Sequence, residues 1–308
     1  MEHTHSNHDH GHSHSHSIVL TSVNSAFIIG ITLNFLFVLI EVVVGLSVKS
    51  LSLLSDAGHN LADVGSLALS LLSFRLMKVK SNAKYTYGYR KTTILVALFN
   101  AAVLLLSIGA IVYEAVFRFI KPEPLPGRII AIVAAIGIVI NFVTALLFLK
   151  NKESDLNIKS AYLHLMSDAV VSVGIVIGGI VIFYTHWFWL DPVISIVIAV
   201  VILFSTWNLL KDSLRLSLDG VPKDISLEKI KTEALKIGGI NSVHHIHVWA
   251  LSTSENAMTG HLVLEPSLNN EQVKAIKDDL KHKLQHMNIQ HMTIETEFAN
   301  DPCVKTDC

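Results

Sequence analysis

Apolar positions along the chain fall into six long runs, and then the pattern changes. The runs cover about residues 26–46, 51–74, 94–117, 129–149, 161–184 and 190–210. Each is close to the roughly 20 residues that a helix needs to cross a bilayer. Only Ser47–Ser50 separate the first two, which predicts a tight helical hairpin. From about Asp219 polar and charged residues rise and the long runs stop. Ser226–Ile237 then has helical periodicity, with Leu227, Ile230, Ala234 and Ile237 on one stripe, and Gly238-Gly239 ends it. Val243–Leu251 and Ala257–Glu265 read as strands joined by a turn at Ser252–Asn256. A helix over Asn270–His286 and a strand over His291–Phe298 follow.

The predicted fold class is therefore membrane α-helical: a six-transmembrane-helix bundle followed by a small cytosolic α+β domain of order α-β-β-α-β, with helices on one face of a short sheet. The expected division is a tail over 1–17, the bundle over 18–212, the α+β domain over 213–300 and a second tail over 301–308.

Composition supports this division. Of the 308 residues, 51% are hydrophobic and only 16% charged, against about 25% in an average protein. Mean hydropathy is +0.50. The net charge of −1 carries no basic signature for nucleic acid. The only two cysteines, Cys303 and Cys308, make no disulfide framework. No secretory signal peptide is expected, because the first seventeen residues hold neither Lys nor Arg. They do hold His3, His5, His8, His10, His12, His14 and His16 among Ser, Asn, Gly and Asp, a low-complexity pattern expected to be disordered and to gather divalent metal loosely.

Lys and Arg set the orientation. Arg75, Lys78, Lys80, Lys84, Arg90 and Lys91 follow the second run, and Lys150, Lys152 and Lys159 follow the fourth. The opposite links hold fewer: Lys49, Arg118, Lys121 and Arg128. The positive-inside rule then places both termini in the cytosol.

Two motifs stand out inside the apolar runs. His59 and Asp63 are four residues apart in the second run, as are His164 and Asp168 in the fifth. Residues four apart share a helix face, so each motif aims an imidazole and a carboxylate the same way. Two such helices face to face offer a tetrahedral two-His, two-Asp set suited to Zn²⁺. Two carboxylates also cancel one divalent charge, which matters where an ionised group costs roughly 2.5 kcal/mol or more. Asp56, three residues before His59, is a candidate entry or proton-relay group. Glu41 and Glu114 lie near the ends of their runs and are expected to reach the membrane interface.

The C-terminal region holds a second metal candidate. His244, His245 and His247 lie on the first predicted strand, where strict alternation puts His245 and His247 on one face and His244 on the other. His261 is on the next strand, Glu295 and Glu297 share a face of the last, and Cys303 and Cys308 follow. There is no nucleophile motif, phosphate loop or dinucleotide fingerprint, so no enzyme and no organic cofactor are expected.

With these residues in view, the chain resembles the cation diffusion facilitator family, in its bacterial zinc-efflux branch of cobalt–zinc–cadmium resistance type. The resemblance rests on Leu53–Asp63, His164–Asp168, Tyr85-Thr86-Tyr87-Gly88-Tyr89-Arg90, Asp191-Pro192 and Val243–Trp249, and covers essentially the whole length. It implies six transmembrane helices, a metallochaperone-like cytosolic domain and a homodimer. It implies transport ligands at His59, Asp63, His164 and Asp168, with His59 favouring zinc over cadmium. It further implies cytosolic ligands at His244, His261 and Glu297, joined by Glu295 and the terminal cysteines, and an inter-subunit charge contact through Lys91 and Asp219. Thr93 departs from the pattern, since many relatives carry Glu there.

The expected function is export of Zn²⁺ from the cytosol in exchange for H⁺, across a bacterial plasma membrane and without ATP. The alternatives are a membrane-bound metal sensor signalling through its cytosolic domain, and a transporter with a different preferred ion among Co²⁺, Cd²⁺ and their neighbours. A membrane-embedded zinc enzyme is disfavoured, because four protein ligands leave no position for a catalytic water.

Overall fold

The computed structural model describes residues 16–47, 51–120, 128–185 and 190–298. Long helices come first: α1 (His16–Ser47), α2 (Leu51–Met77), α3 (Thr92–Ile120), α4 (Arg128–Leu149), α5 (Leu156–Thr185) and α6 (Leu190–Ser217). They are followed by α7 (Leu227–Leu235), β1 (Ile240–Ala250), β2 (Asn256–Leu264), α8 (Asn270–His286) and β3 (His291–Phe298). Several helices outrun the apolar windows: α1 starts ten residues earlier, at His16, and α6 continues to Ser217. A polar residue at a helix end stops an apolar run without stopping the backbone hydrogen-bond ladder.

Two described segments, Asn24–Ser47 and Thr92–Phe117, are long and apolar enough to cross a membrane by themselves, and Ala135–Leu149 is a shorter apolar stretch. The long helices are apolar on the outside as well as the inside. Leu36, Val43 and Leu46 on α1, Leu106 on α3 and Phe204 on α6 are all more than half exposed. A bundle with such an outer surface is adapted to hydrocarbon rather than to water.

Inside, α1, α2, α4 and α5 share one core built on Phe27, Leu67, Phe74, Phe148 and Leu165. Phe27 meets Phe148 edge-on at 4.8 Å. Gly137 of α4 receives the ring of Phe37, which a Cβ would meet at 2.7 Å. Helices α3 and α6 pack on each other through Ala101, Leu104 and Leu209, then Ile108, Ala199 and Ile202. The ligand-bearing helices α2 and α5 are in contact, and α3 touches both.

The C-terminal layer is a three-stranded sheet in the order β1-β2-β3, with β1 and β2 antiparallel and β2 and β3 parallel. Helix α8 makes the crossover that the parallel pair requires. Its start has a full capping box, Asn269 with Gln272. Ile230 and Ala234 of α7, Ile276, Leu280 and Leu284 of α8, and Val248, Met258, Leu262 and Leu264 of the sheet form one core. The other sheet face is free to carry polar side chains.

The bundle and this layer meet at the turn between β1 and β2. Asp155 caps α5, accepting from the Asn157 amide at 2.7 Å. Its second carboxylate oxygen accepts from the Thr253 hydroxyl in the turn. Burial pushes the Asp155 carboxyl up from 3.8 to about 6, against the hydrogen bonds from Thr253, Asn157 and Ile158 that pull it down. An acid whose pKa is raised by folding destabilises the fold once it ionises. The cost is absent below about pH 4 and fully present above about pH 6, where it reaches roughly 3 kcal/mol. Asp155→Asn keeps one oxygen to cap the Asn157 amide, puts an NH₂ donor in place of the other, and removes the charge. Thermal melting in detergent between pH 4.5 and 7.5 is expected to show the variant gaining on the wild type as pH rises, and a constant difference would remove the burial effect.

Candidate metal centres

Asp63 on α2 and His164 and Asp168 on α5 converge inside the bundle. His164 Nε2 lies 2.5 Å from Asp63 Oδ1 and 3.8 Å from Asp168 Oδ2. One ligand atom from each of the three lies within 4.8 Å of the others, a spacing that fits a single ion. Asp63 and His164 are buried and Asp168 is partly so. His59 and Asp56 lie on α2, one turn and about two turns before Asp63, and their side chains fall outside the described residues.

Helix geometry brings the three together. His164 and Asp168 are one turn apart on α5, and α2 packs beside α5 with Asp63 facing it. Neighbouring polar groups support the helices. Asn60 of α2 donates through Nδ2 to both carboxylate oxygens of Glu41 on α1, at 2.9 and 3.1 Å. Glu41 is fully buried, which corrects the expectation that it reaches the membrane interface. It sits six residues before the end of α1, and there α2 covers it. The side chain of Glu114 lies outside the described residues.

A small cavity touches His164 and is lined by Ser66, Ser70, Asn100 and Ser160. Asn100 donates to Ser70 Oγ at 2.9 Å, joining α3 to α2. One turn further along α2, Phe74 lines a much larger cavity of about 890 Å³. That cavity lies between the ends of α2, α5 and α6 and the C-terminal layer, and Asp155, Asp212, Lys223 and Glu255 face it.

A second cluster lies on the polar face of the sheet. His244 and His261 are cross-strand partners on β1 and β2. His245 joins them, with ring centroids 5.2 Å from His244 and 5.0 Å from His261. Ligand atoms of His244, His245 and His261 lie within 4.8 Å of one another. Glu297 links His261 to His244: it contacts His261 Nδ1 directly and lies 3.5 Å from His244 Nε2. Glu295 reaches His261 Nε2 at 3.5 Å. Cys303 and Cys308, and His3 through His14 of the N-terminal tail, lie outside the described residues, while His16 opens α1.

The strand alternation expected for the three histidines is wrong, and the cause is a β-bulge. The register shifts between His244 and His247, and His245 adopts the left-handed conformation with φ 49°. A bulge adds one residue to the strand, so two successive side chains emerge on one face. His244 and His245 both point away from the core, and Ile246 and Val248 point into it. The Nε2 of His245 is buried with no hydrogen-bond partner among the described residues, as suits a ligand position. Strict alternation puts His245 on the wrong face, because nothing local in the sequence signals the bulge that turns it toward His244 and His261.

Lys91 and Asp219 pair at 2.5 Å. Asp219 follows α6 with φ 57°, and Gly220 donates back to the Arg215 carbonyl at 2.8 Å. This tight reversal turns the carboxylate toward the start of α3. Both side chains are exposed, so the pair contributes at most about 1 kcal/mol.

A buried acid–imidazole set thus lies between apolar helices, with a polar layer attached. Comparison with known proteins gives the family. Residues 27–216 match the cation efflux transmembrane domain, and residues 222–298 match the cytoplasmic domain of cation efflux proteins. The chain belongs to the cation efflux family. It is 37% identical over 280 residues to the metal cation efflux system protein CzcD of Cupriavidus metallidurans, covering 91% of this chain and 87% of that one. It is 35% identical over 263 residues to a cadmium, cobalt and zinc/H(+)-K(+) antiporter of Bacillus subtilis, covering 85% of each. It is 36% identical over 277 residues to the zinc transporter ZitB of Pectobacterium atrosepticum, covering 89% and 84%.

The bulge makes a direct prediction. His245→Asn is expected to weaken zinc at the sheet cluster by about tenfold or more. His247→Asn, outside the cluster, is expected to change it less than about twofold, since ligands outweigh bystanders. Zinc titration against a competing chelator, in a full-length Asp63→Ala and Asp168→Ala background, measures both. Equal effects of the two variants would remove His245 from the site.

Proposed function

We propose that the chain exports Zn²⁺ from the cytosol in exchange for H⁺, through a two-His, two-Asp site made of His59, Asp63, His164 and Asp168. The observation that carries this reading is the convergence of Asp63, His164 and Asp168 across two apolar helices. The donor set is two carboxylates with imidazole, which suits Zn²⁺ and balances its charge. The names of the relatives add zinc, cadmium and cobalt as cargo, and both H(+) and K(+) as exchanged ions in one of them.

Zinc enters from the large cavity and reaches His164 past Ser70, Asn100 and Ser160. The imidazoles bind it only when neutral, and the ordinary histidine pKa of about 6.5 lies in the working range. Once α2 and α5 rock outward, protons compete for the same nitrogens and release the ion. Protonated ligands return, so the inward proton gradient drives efflux and no nucleotide is needed. Asp56 serves the outer side as a relay.

In this reading all six long helices span the plasma membrane as one domain, both termini are cytoplasmic, and residues from about 213 form the cytosolic domain. That domain pairs with a second copy to make a homodimer. Metal at His244, His245, His261 and Glu297 stabilises the closed pair and licenses transport. The His-rich tail gathers metal for the site.

The test is zinc flux into inside-out proteoliposomes under an imposed pH gradient, with wild type beside Asp63→Ala and Asp168→Ala. Gradient-driven uptake is expected in the wild type, with a loss of about a hundredfold or more in either variant, as for removal of a buried charged partner. Folded wild-type protein that binds zinc tightly but shows no gradient-driven flux would make the sensor reading the correct one. Co²⁺ and Cd²⁺ in the same assay define the cargo.

A further inference from the structure

The turn between β1 and β2 holds neither metal cluster, yet among the described residues it makes directional contacts with the bundle through Thr253 and Glu255. We propose that this turn transmits the state of the sheet cluster to the transport site, with Thr253 as the positioning residue that fixes the start of α5 through Asp155 and the start of α3 through Thr93. The inference rests on the transport reading above and adds the contacts through which it is regulated.

The first support is continuity. His244 and His261 are directly opposed on β1 and β2, and the same two strands run on to the turn at Leu251–Glu255. The bulge at His245 sets the local twist of that hairpin. A metal held by His244, His245 and His261 fixes the bulge, and so fixes the direction in which the turn points.

The second is stiffness. Ser252 Oγ accepts from the amides of Ser254 at 3.2 Å and Glu255 at 3.0 Å, and the Leu251 amide donates to the Glu255 carbonyl at 2.8 Å. Leu251 and Ser252 are buried. A turn closed in this way moves as one piece with its strands.

The third is where the turn attaches. The Thr253 amide donates to Thr93 Oγ1 at 3.1 Å, and its hydroxyl donates to Asp155. Asn157 Nδ2 donates to the Thr93 carbonyl at 2.9 Å, closing the set between α3 and α5. Arg90 pairs with Glu255 beside it. Thr93, Asp155 and Asn157 are all buried, so these bonds are made in a low dielectric and a displaced partner leaves an unsatisfied group. Lys91–Asp219, another ion pair at this level, is exposed and tolerates movement.

The fourth is what α5 carries. His164 lies nine residues beyond Asp155 on one unbroken helix, about 13 Å at 1.5 Å per residue. A rotation of α5 imposed at Asp155 therefore reaches His164 and Asp168 with little loss.

The experiment uses the full-length chain. Amide hydrogen exchange is first measured on wild type with and without zinc: protection is expected at 243–262 and also at 155–160. Zinc protection confined to the strands, with none at 155–160, would overturn the inference without any variant. Thr253→Val removes only the hydroxyl. It is expected to abolish the protection at 155–160 and retain it on the strands, and to lower the maximal gradient-driven flux about tenfold with KM within about twofold, in the usual range for coupled sites. Thr253→Ser restores both. Wild-type flux and wild-type protection at 155–160 in Thr253→Val would equally overturn it. Absence of flux in the wild type would instead overturn the transport reading, and the exchange pattern at 155–160 still decides the role of the turn.

Discussion

Charged groups in an apolar bundle must compensate one another, and that requirement organises this molecule. Asp63, His164 and Asp168 sit among residues such as Leu67, Leu165 and Ala169, where an unpaired carboxylate is expensive. The contact between His164 and Asp63 ties α2 to α5, and the partly exposed Asp168 sits a turn along. A set with two carboxylates and imidazole is neutralised either by a divalent ion or by protons. Under the proposed exchange, the groups that bind the cargo would therefore also bind its replacement, and electroneutrality would couple the two. Glu41, buried on α1, is likewise supported, since Asn60 supplies amide hydrogens to both its oxygens.

The sheet cluster uses the same donor types under different solvation. His244, His245 and His261 are partly exposed, Glu295 is exposed, and the cluster lies on a polar sheet face beside water. A metal bound there would exchange with the surrounding solution and follow its concentration. A metal bound in the bundle would be largely shielded from solvent by Asp63 and His164, which are buried. One centre is suited to reporting a concentration and the other to carrying cargo, though both are built from imidazole and carboxylate.

Legibility differed between features for physical reasons. The convergence of Asp63, His164 and Asp168 was readable because a spacing of four residues maps directly to one helix face, and because ionisable groups are rare in apolar runs. The last helix and strand were readable because Asn269 with Gln272 caps α8, and because Met292 and Ile294 alternate with polar neighbours. The position of His245 was not, since it depends on one left-handed backbone angle that shifts the phase of β1. The Glu41–Asn60 pair and the placement of Lys91 against Asp219 in one chain are tertiary facts with no local pattern. Helix ends were misplaced at α1, α5 and α6, where polar residues extend the helix beyond its apolar part.

Thr93 shows how these constraints meet at the join between bundle and sheet. The resemblance leads one to expect Glu at this position, yet the residue is a fully buried threonine that donates to the Arg90 carbonyl at 2.9 Å and accepts from the Thr253 amide. Asp155, from α5, already supplies a buried acid to the same turn, and burial raises its pKa to about 6 against the hydrogen bonds that lower it. A second carboxylate from α3 would place two like charges in one low-dielectric pocket, where each disfavours ionisation of the other. A hydroxyl avoids that repulsion and still satisfies the Thr253 amide. The join thus carries its acid on the helix that bears His164, and leaves to α3 a neutral group that can both donate and accept.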